Sequence, residues 1–172
     1  VGIMDLSSGK SSEAELTEEL AGISALQTSD VLRKVHGDSL VLGTGVLTGS
    51  LVPAACAGLV SSSRGTMPVL GSAGVELKLA GFDFFVVKGE APSPGYLWIR
   101  DGIAEFVAYP SMSSMDSWAR IERIRADQGD KRIQVLAAGP WGDALREGSC
   151  LTVSHWTGED DALLGREFGR RK

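Results

Sequence analysis

The chain has 172 residues, 43% hydrophobic and 23% charged, a composition typical of a folded globular protein. Seventeen Lys and Arg against 22 Asp and Glu leave a net charge of -5, which repels a phosphate backbone and argues against nucleic acid as a partner. No apolar run approaches the roughly 20 residues of a membrane span, so we expect no membrane segment and a cytoplasmic location. Two cysteines are too few for an iron–sulfur cluster or a cysteine-rich zinc site.

Short strands and helices alternate in the first half of the predicted structure. Thr17 precedes two glutamates and a run of apolar residues at helical spacing, and Gly37 suits the left-handed end of a second helix. The predicted elements are a strand over 2–6 with a turn over 7–10, helices over 17–26 and from Ser29 or Asp30 to Gly37, a buried strand over 39–42, short strands and loops over 51–81 with a helix at 75–80, and a strand over 82–87.

The second half carries a strong hairpin signal at Asp101-Gly102, because both residue types accept the positive φ of a two-residue turn. Asp116 is a candidate helix cap. The predicted elements are strands over 96–100, 104–108 and 133–137, and helices over 116–127 and 160–168.

The two halves show an internal similarity. Residues 41–56 align without a gap on residues 135–150, and each copy is a buried strand, a small-residue turn with glycine, and a loop. If the halves fold alike, these loops occupy equivalent positions about a pseudo-twofold axis and could form a seat for one large ligand. Chance matching in a chain with 22 glycines is the alternative.

Common catalytic and phosphate-binding motifs are missing. The sequence has no P-loop and no dinucleotide fingerprint, which argues against nucleotide binding. His36 ends a predicted helix, where a role in neutralising the helix dipole explains it. His155 with Cys150 or Ser154 could form a nucleophilic pair of a hydrolase, and ordinary packing is the alternative.

A basic cluster, Arg166, Arg170, Arg171 and Lys172, lies near the end of the sequence and could bind an anion. Residues 159–161 supply three carboxylates on the same predicted element. A solvated helix with complementary charges at its two ends explains both groups.

Four segments resemble the N-terminal domain of the tungsten-containing aldehyde ferredoxin oxidoreductase family. They are Asp5–Gly9, Leu40–Gly49, Gly74–Asp83 (GVELKLAGFD) and Gly139–Asp143 (GPWGD). The resemblance implies an α+β fold built from two related halves, with mixed and antiparallel sheets and short helices. It implies one domain over residues 1–172, with pseudo-repeat halves at about 1–90 and 91–172, as the base for a bis-pterin tungsten or molybdenum cofactor. Family chains continue into helical domains that supply the 4Fe-4S cysteines and the aldehyde channel.

Departures from the family pattern fall on its cofactor contacts. Ala55-Cys56-Ala57 stands where the family has Gly-Gly-Arg, and residues 158–162 are acidic where the family has an arginine-containing loop. The family's Asn-Ser-Gly-Gly contact is reduced to residues 70–74, from which only Gly71, Ser72 and Gly74 carry over as cofactor-binding candidates. No catalytic or metal-ligating residue is predicted.

The resemblance and the departures together give two competing functions. The first is a stand-alone or truncated relative whose pterin site is eroded, which binds neither the metallopterin nor the cluster and does not catalyse a reaction alone. Under it, a partner chain or a second copy covers the cofactor face. The alternative is a functional pterin-binding domain of an aldehyde oxidoreductase that other domains or chains complete.

Overall fold

The computed structural model describes residues 1–154, 156–157 and 163–171. Residues 1–88 form one six-stranded sheet, hereafter the large sheet, with the strand order β2-β1-β6-β3-β4-β5. β1 and β6 run parallel, and the other neighbours run antiparallel. The strands are β1 (Gly2–Asp5), β2 (Lys10–Glu13), β3 (Ser39–Thr44), β4 (Gly58–Ser62), β5 (Gly65–Val69) and β6 (Phe84–Lys88), and the helices are α1 (Glu18–Ala21), α2 (Ala25–His36) and α3 (Ala73–Leu79).

Residues 95–171 form two smaller sheets. One is the antiparallel pair β7–β8, and the other has the order β11-β10-β9, also antiparallel. The strands are β7 (Gly95–Arg100), β8 (Ile103–Ala108), β9 (Leu136–Ala138), β10 (Leu151–Val153) and β11 (Trp156–Thr157); the helices are α4 (Ser117–Gln128), α5 (Pro140–Asp143) and α6 (Gly165–Arg171), with a 3-10 turn at Pro110–Ser114.

Three apolar clusters define the layers. The outer cluster lies between α2 and the large sheet and consists of Leu32, Val41, Phe84 and Val86. The central cluster joins the other face of the large sheet to the smaller sheets and includes Met4, Leu40, Val60, Phe85, Val87, Leu151 and Val153. The α4 cluster contains Met112, Ile121, Ile124, Val135 and Ala137. The order of layers is therefore α2, large sheet, smaller sheets and α4, and the predicted α+β fold is confirmed.

The first predicted helix boundary is wrong. The helix expected over 17–26 ends at Ala21, and α2 begins at Ala25 rather than after Ser29 or Asp30. The reason is a capping box: the Ser24 hydroxyl accepts a hydrogen bond from the Gln27 N–H at 3.3 Å, and the Gln27 Oε1 accepts one from the Ser24 N–H at 3.3 Å.

Hairpins were predicted more reliably from the residues of their turns than from the hydrophobic pattern of their strands. β7 and β8 join at Asp101-Gly102, and both residues have a positive φ, as expected for this turn. β2 was not predicted, because its four residues are polar and exposed. It forms the edge of the large sheet, where polar residues are usual.

The interpretation of the C-terminal helix as solvated is wrong for its last residues. Arg171 is buried, and its guanidinium group donates to the Gly89 carbonyl at 2.9 Å and to the Asp38 carbonyl at 3.2 Å. Arg170 donates to the Asp38 carboxylate at 2.7 Å. These bonds fix the end of α6 to residues beside β3 and β6. Residues 158–162, where this helix was predicted to begin, lie outside the described residues.

A second buried cation, Arg120, joins α4 to two other segments. Arg120 is 7% exposed, and it donates to the carbonyls of Met115 at 3.0 Å and Ala138 at 2.7 Å. It also pairs with the Asp143 carboxylate, whose Oδ1 lies 3.0 Å from Nη1. Asp143 closes the GPWGD segment, so this segment is anchored to α4 by a partly buried ion pair.

In the part of the chain that the structure describes, we find no helix with both the length and the apolar character required to cross a membrane.

Removing the anion of the Arg120 pair should destabilise the fold. Asp143→Ala leaves a buried guanidinium group without its carboxylate, and we expect the free energy of unfolding to fall by about 2 kcal/mol. Urea denaturation followed by circular dichroism measures the change. Asp130→Ala is the matched control, since Asp130 pairs with Arg132 at the surface, and its loss should be much smaller. Equal losses in the two variants would contradict the role of the Arg120–Asp143 pair.

The contribution of Asp38 to stability should depend on pH. The hydrogen bond from Arg170, with the nearby charges of Arg170 and Arg171, holds the pKa of Asp38 below its usual range. Because the pKa is lower in the folded chain, the stabilisation is complete above about pH 5 and is lost as the pH falls through the folded pKa. The difference in unfolding free energy between wild type and Asp38→Asn should therefore shrink between pH 6 and pH 3, as measured by urea denaturation. A difference that does not change with pH would contradict this assignment.

Candidate functional site

The segment between β3 and β4, residues 45–57, is the first of the predicted glycine loops. Thr48 ties its two ends together: the Gly45 N–H donates to the Thr48 Oγ1 at 2.9 Å, and the Thr48 hydroxyl donates to the Ala57 carbonyl at 2.9 Å. The Gly49 N–H donates to the Ala55 carbonyl at 2.7 Å. The sequence analysis missed the role of Thr48; a threonine that follows a glycine by three residues is the signal that could have indicated it.

The GVELKLAGFD segment holds this loop in place. Lys78 on α3 donates to the carbonyl of Gly45 at 3.0 Å and to that of Val46 at 3.4 Å, and its ammonium group lies 3.3 Å from the Asp83 carboxylate. The Asp83 carbonyl accepts hydrogen bonds from the N–H and the hydroxyl of Thr44, at 2.9 and 3.0 Å. Two of the segments that carry the family resemblance are thus joined to each other.

The three predicted cofactor-binding residues lie around the start of α3, in different environments. Gly71 is exposed with a φ of +82° and has nothing within 4 Å of where a Cβ would lie. Ser72 is exposed at the N-cap, and its side chain makes no capping hydrogen bond. Gly74 is buried, and a Cβ there would lie 2.7 Å from the Gly58 nitrogen. Gly74 therefore allows close backbone packing, and the predicted binding role of the three residues stays a prediction.

The surface around Gly71 and the β3–β4 loop is apolar. We call it the apolar loop face; its exposed side chains are Val46, Leu47, Leu51, Val52 and Leu70. The register of β3, β4 and β5 brings the loop and residues 70–72 to the same end of the large sheet. Residues 45–57 and 70–74 include no charged side chain.

The segments of this face offer no charged side chain to a phosphate-bearing cofactor. Phosphate oxygens are usually held by arginine, lysine or several free backbone N–H groups. Lys78, the lysine that contacts the loop, already donates to two carbonyls and pairs with Asp83. Residues 158–162, which replace a basic loop of the family, lie outside the described residues.

The second glycine loop, residues 139–150, is anchored differently. Its Glu147 accepts a hydrogen bond from Arg64 at 2.9 Å and also pairs with Arg166. A Cβ on Gly142 would lie 2.4 Å from the Gly165 carbonyl oxygen, so α5 and α6 also meet by close backbone packing. The seat predicted from both glycine loops stays a prediction.

Of the residues considered for acid–base or nucleophilic chemistry, the structure describes His36, Cys150 and Ser154. Burial, and after it the positive charge of Lys88, lower the pKa of His36, which lies in the last turn of α2. Cys150 is exposed, and His155, the partner considered for it, is outside the described residues, so the Cys–His pair stays an alternative. The Ser154 hydroxyl oxygen accepts a hydrogen bond from the Val135 N–H at 3.0 Å. Within the described ranges, no group of three or more His, Cys, Asp or Glu could hold a metal.

The curated proteins that resemble this chain are several times longer than the chain itself. The tungsten-containing aldehyde ferredoxin oxidoreductase of Pyrococcus horikoshii is 31% identical over 117 residues, which cover 62% of this chain and 18% of the relative. The protein of the same name from Thermococcus kodakarensis is 25% identical over 146 residues, covering 78% of this chain and 23% of the relative. The chain spans about a fifth of the length of these relatives.

A solved structure shares the fold. The active site complex BamBC of benzoyl coenzyme A reductase, in complex with 1,5-dienoyl-CoA, matches with a TM-score of 0.87 and 18% identity, over 99% of this chain and 29% of that chain. At this identity the likeness shows the fold alone. A family model described as "Aldehyde ferredoxin oxidoreductase, N-terminal domain" matches residues 3–171. The chain therefore belongs to the aldehyde ferredoxin oxidoreductase family, and the part of the family it represents is the N-terminal domain.

Proposed function

We propose that this chain retains the scaffold of a cofactor-seating domain but has lost its pterin site, and that it catalyses no reaction alone. The observation that carries the proposal is the apolar loop face, where the family resemblance predicts contacts to a phosphate-bearing pterin. Aliphatic side chains and methyl groups occupy this surface. These apolar groups supply neither charge nor donors to a phosphate group, and the exposed Ser50 and Ser72 of the same segments are uncharged.

Ala57 supports this proposal most directly. It stands at the position where the family resemblance places a phosphate-contacting arginine, and it is exposed. Its carbonyl accepts the hydrogen bond from Thr48, so the backbone at this position is held while the side chain ends at a methyl group. The scaffold of the contact is thus present without its cation.

The exposed leucines argue for a covering partner. Leu51 is fully exposed, and Leu47 and Leu70 are each more than half exposed. Adjacent exposed apolar side chains on a folded protein usually mark a protein interface. We infer that a partner chain or a second copy covers the apolar loop face, in a cytoplasmic assembly.

The competing function, a pterin-binding domain completed by other domains, is favoured by one feature. Gly71 and Ser72 leave an open, exposed backbone next to the loop, as a close-lying ligand would require. The two functions differ in what they predict for metal content when the missing domains are supplied.

A chimera tests the two functions. In the Pyrococcus horikoshii enzyme, replacing the N-terminal domain by this chain should reduce the tungsten content to less than about one tenth of the parent's, because the seat offers no cation to the phosphates. Elemental analysis measures tungsten, and circular dichroism checks folding. The parent enzyme and a chimera carrying Ala57→Arg are the controls, and we expect the latter to recover part of the metal. Tungsten at the parental level in the first chimera would contradict the proposal and support the alternative.

The proposal also predicts what Lys78 does. If Lys78 serves the loop rather than a ligand, Lys78→Ala should speed amide hydrogen exchange in residues 45–57 by roughly fivefold, because a charge-assisted bond that is partly exposed contributes about 1 kcal/mol. Hydrogen-exchange mass spectrometry measures this. Lys88→Ala is the control, since Lys88 pairs with Asp5 away from the loop. Unchanged exchange in the loop of Lys78→Ala would show that Lys78 does not hold it.

A further inference from the structure

We draw no further inference here: the strongest candidate, the partly open apolar cavity of about 450 Å³ between β7 and β9, is an unpartnered apolar surface, and nothing in the part of the chain that the structure describes shows what covers it.

Discussion

Cationic side chains that donate to backbone carbonyls at the ends of strands connect separate elements of this fold. Lys78 bonds to the carbonyl of Gly45 just after β3, Arg120 to that of Ala138 at the end of β9, and Arg171 to that of Gly89 just after β6. Carbonyls at strand ends lack ladder partners and must be satisfied in another way when they are buried. Each cation also has a carboxylate nearby, Asp83, Asp143 or Asp38, which offsets the cost of burying its charge.

This use of cations limits what the surface can bind. Lys78 is engaged by the backbone of the β3–β4 loop and by Asp83, so its charge is used within the chain. The family motifs GVLTG and GVELKLAGFD are therefore explained by contacts within the chain. The retention of these motifs therefore has a structural reason that does not depend on a ligand.

The sequence predicted those features that depend on local chemistry. Asp101-Gly102 produced the expected hairpin, Asp116 caps α4 through the Ala119 N–H, and Gly37 ends α2. Features that depend on distant partners were missed or misjudged. Arg171 was interpreted as solvated because its partners, Asp38 and Gly89, are more than 80 residues away in sequence. β2 carries no apolar pattern, since it is defined by pairing with β1 alone.

The residue types of the candidate site could be predicted from the sequence. Their arrangement in space could not. Gly71 and Gly74 are three residues apart and both fit the family pattern, yet one is exposed and the other is packed on β4. The difference depends on where Gly58 lies, and this follows from the β3–β4 register. Gly58 was not among the predicted site residues.

The contact between Gly74 and Gly58 has a consequence for how such chains evolve. A methyl group at position 74 would displace α3 from β4, and Lys78, one turn further along the same helix, would move with it. Glycine is thus required at position 74 for steric reasons, whether or not a ligand binds to the apolar loop face. Such a glycine would persist for steric reasons alone, so a match to the glycine signature reports ancestry and architecture whether or not a cofactor is bound.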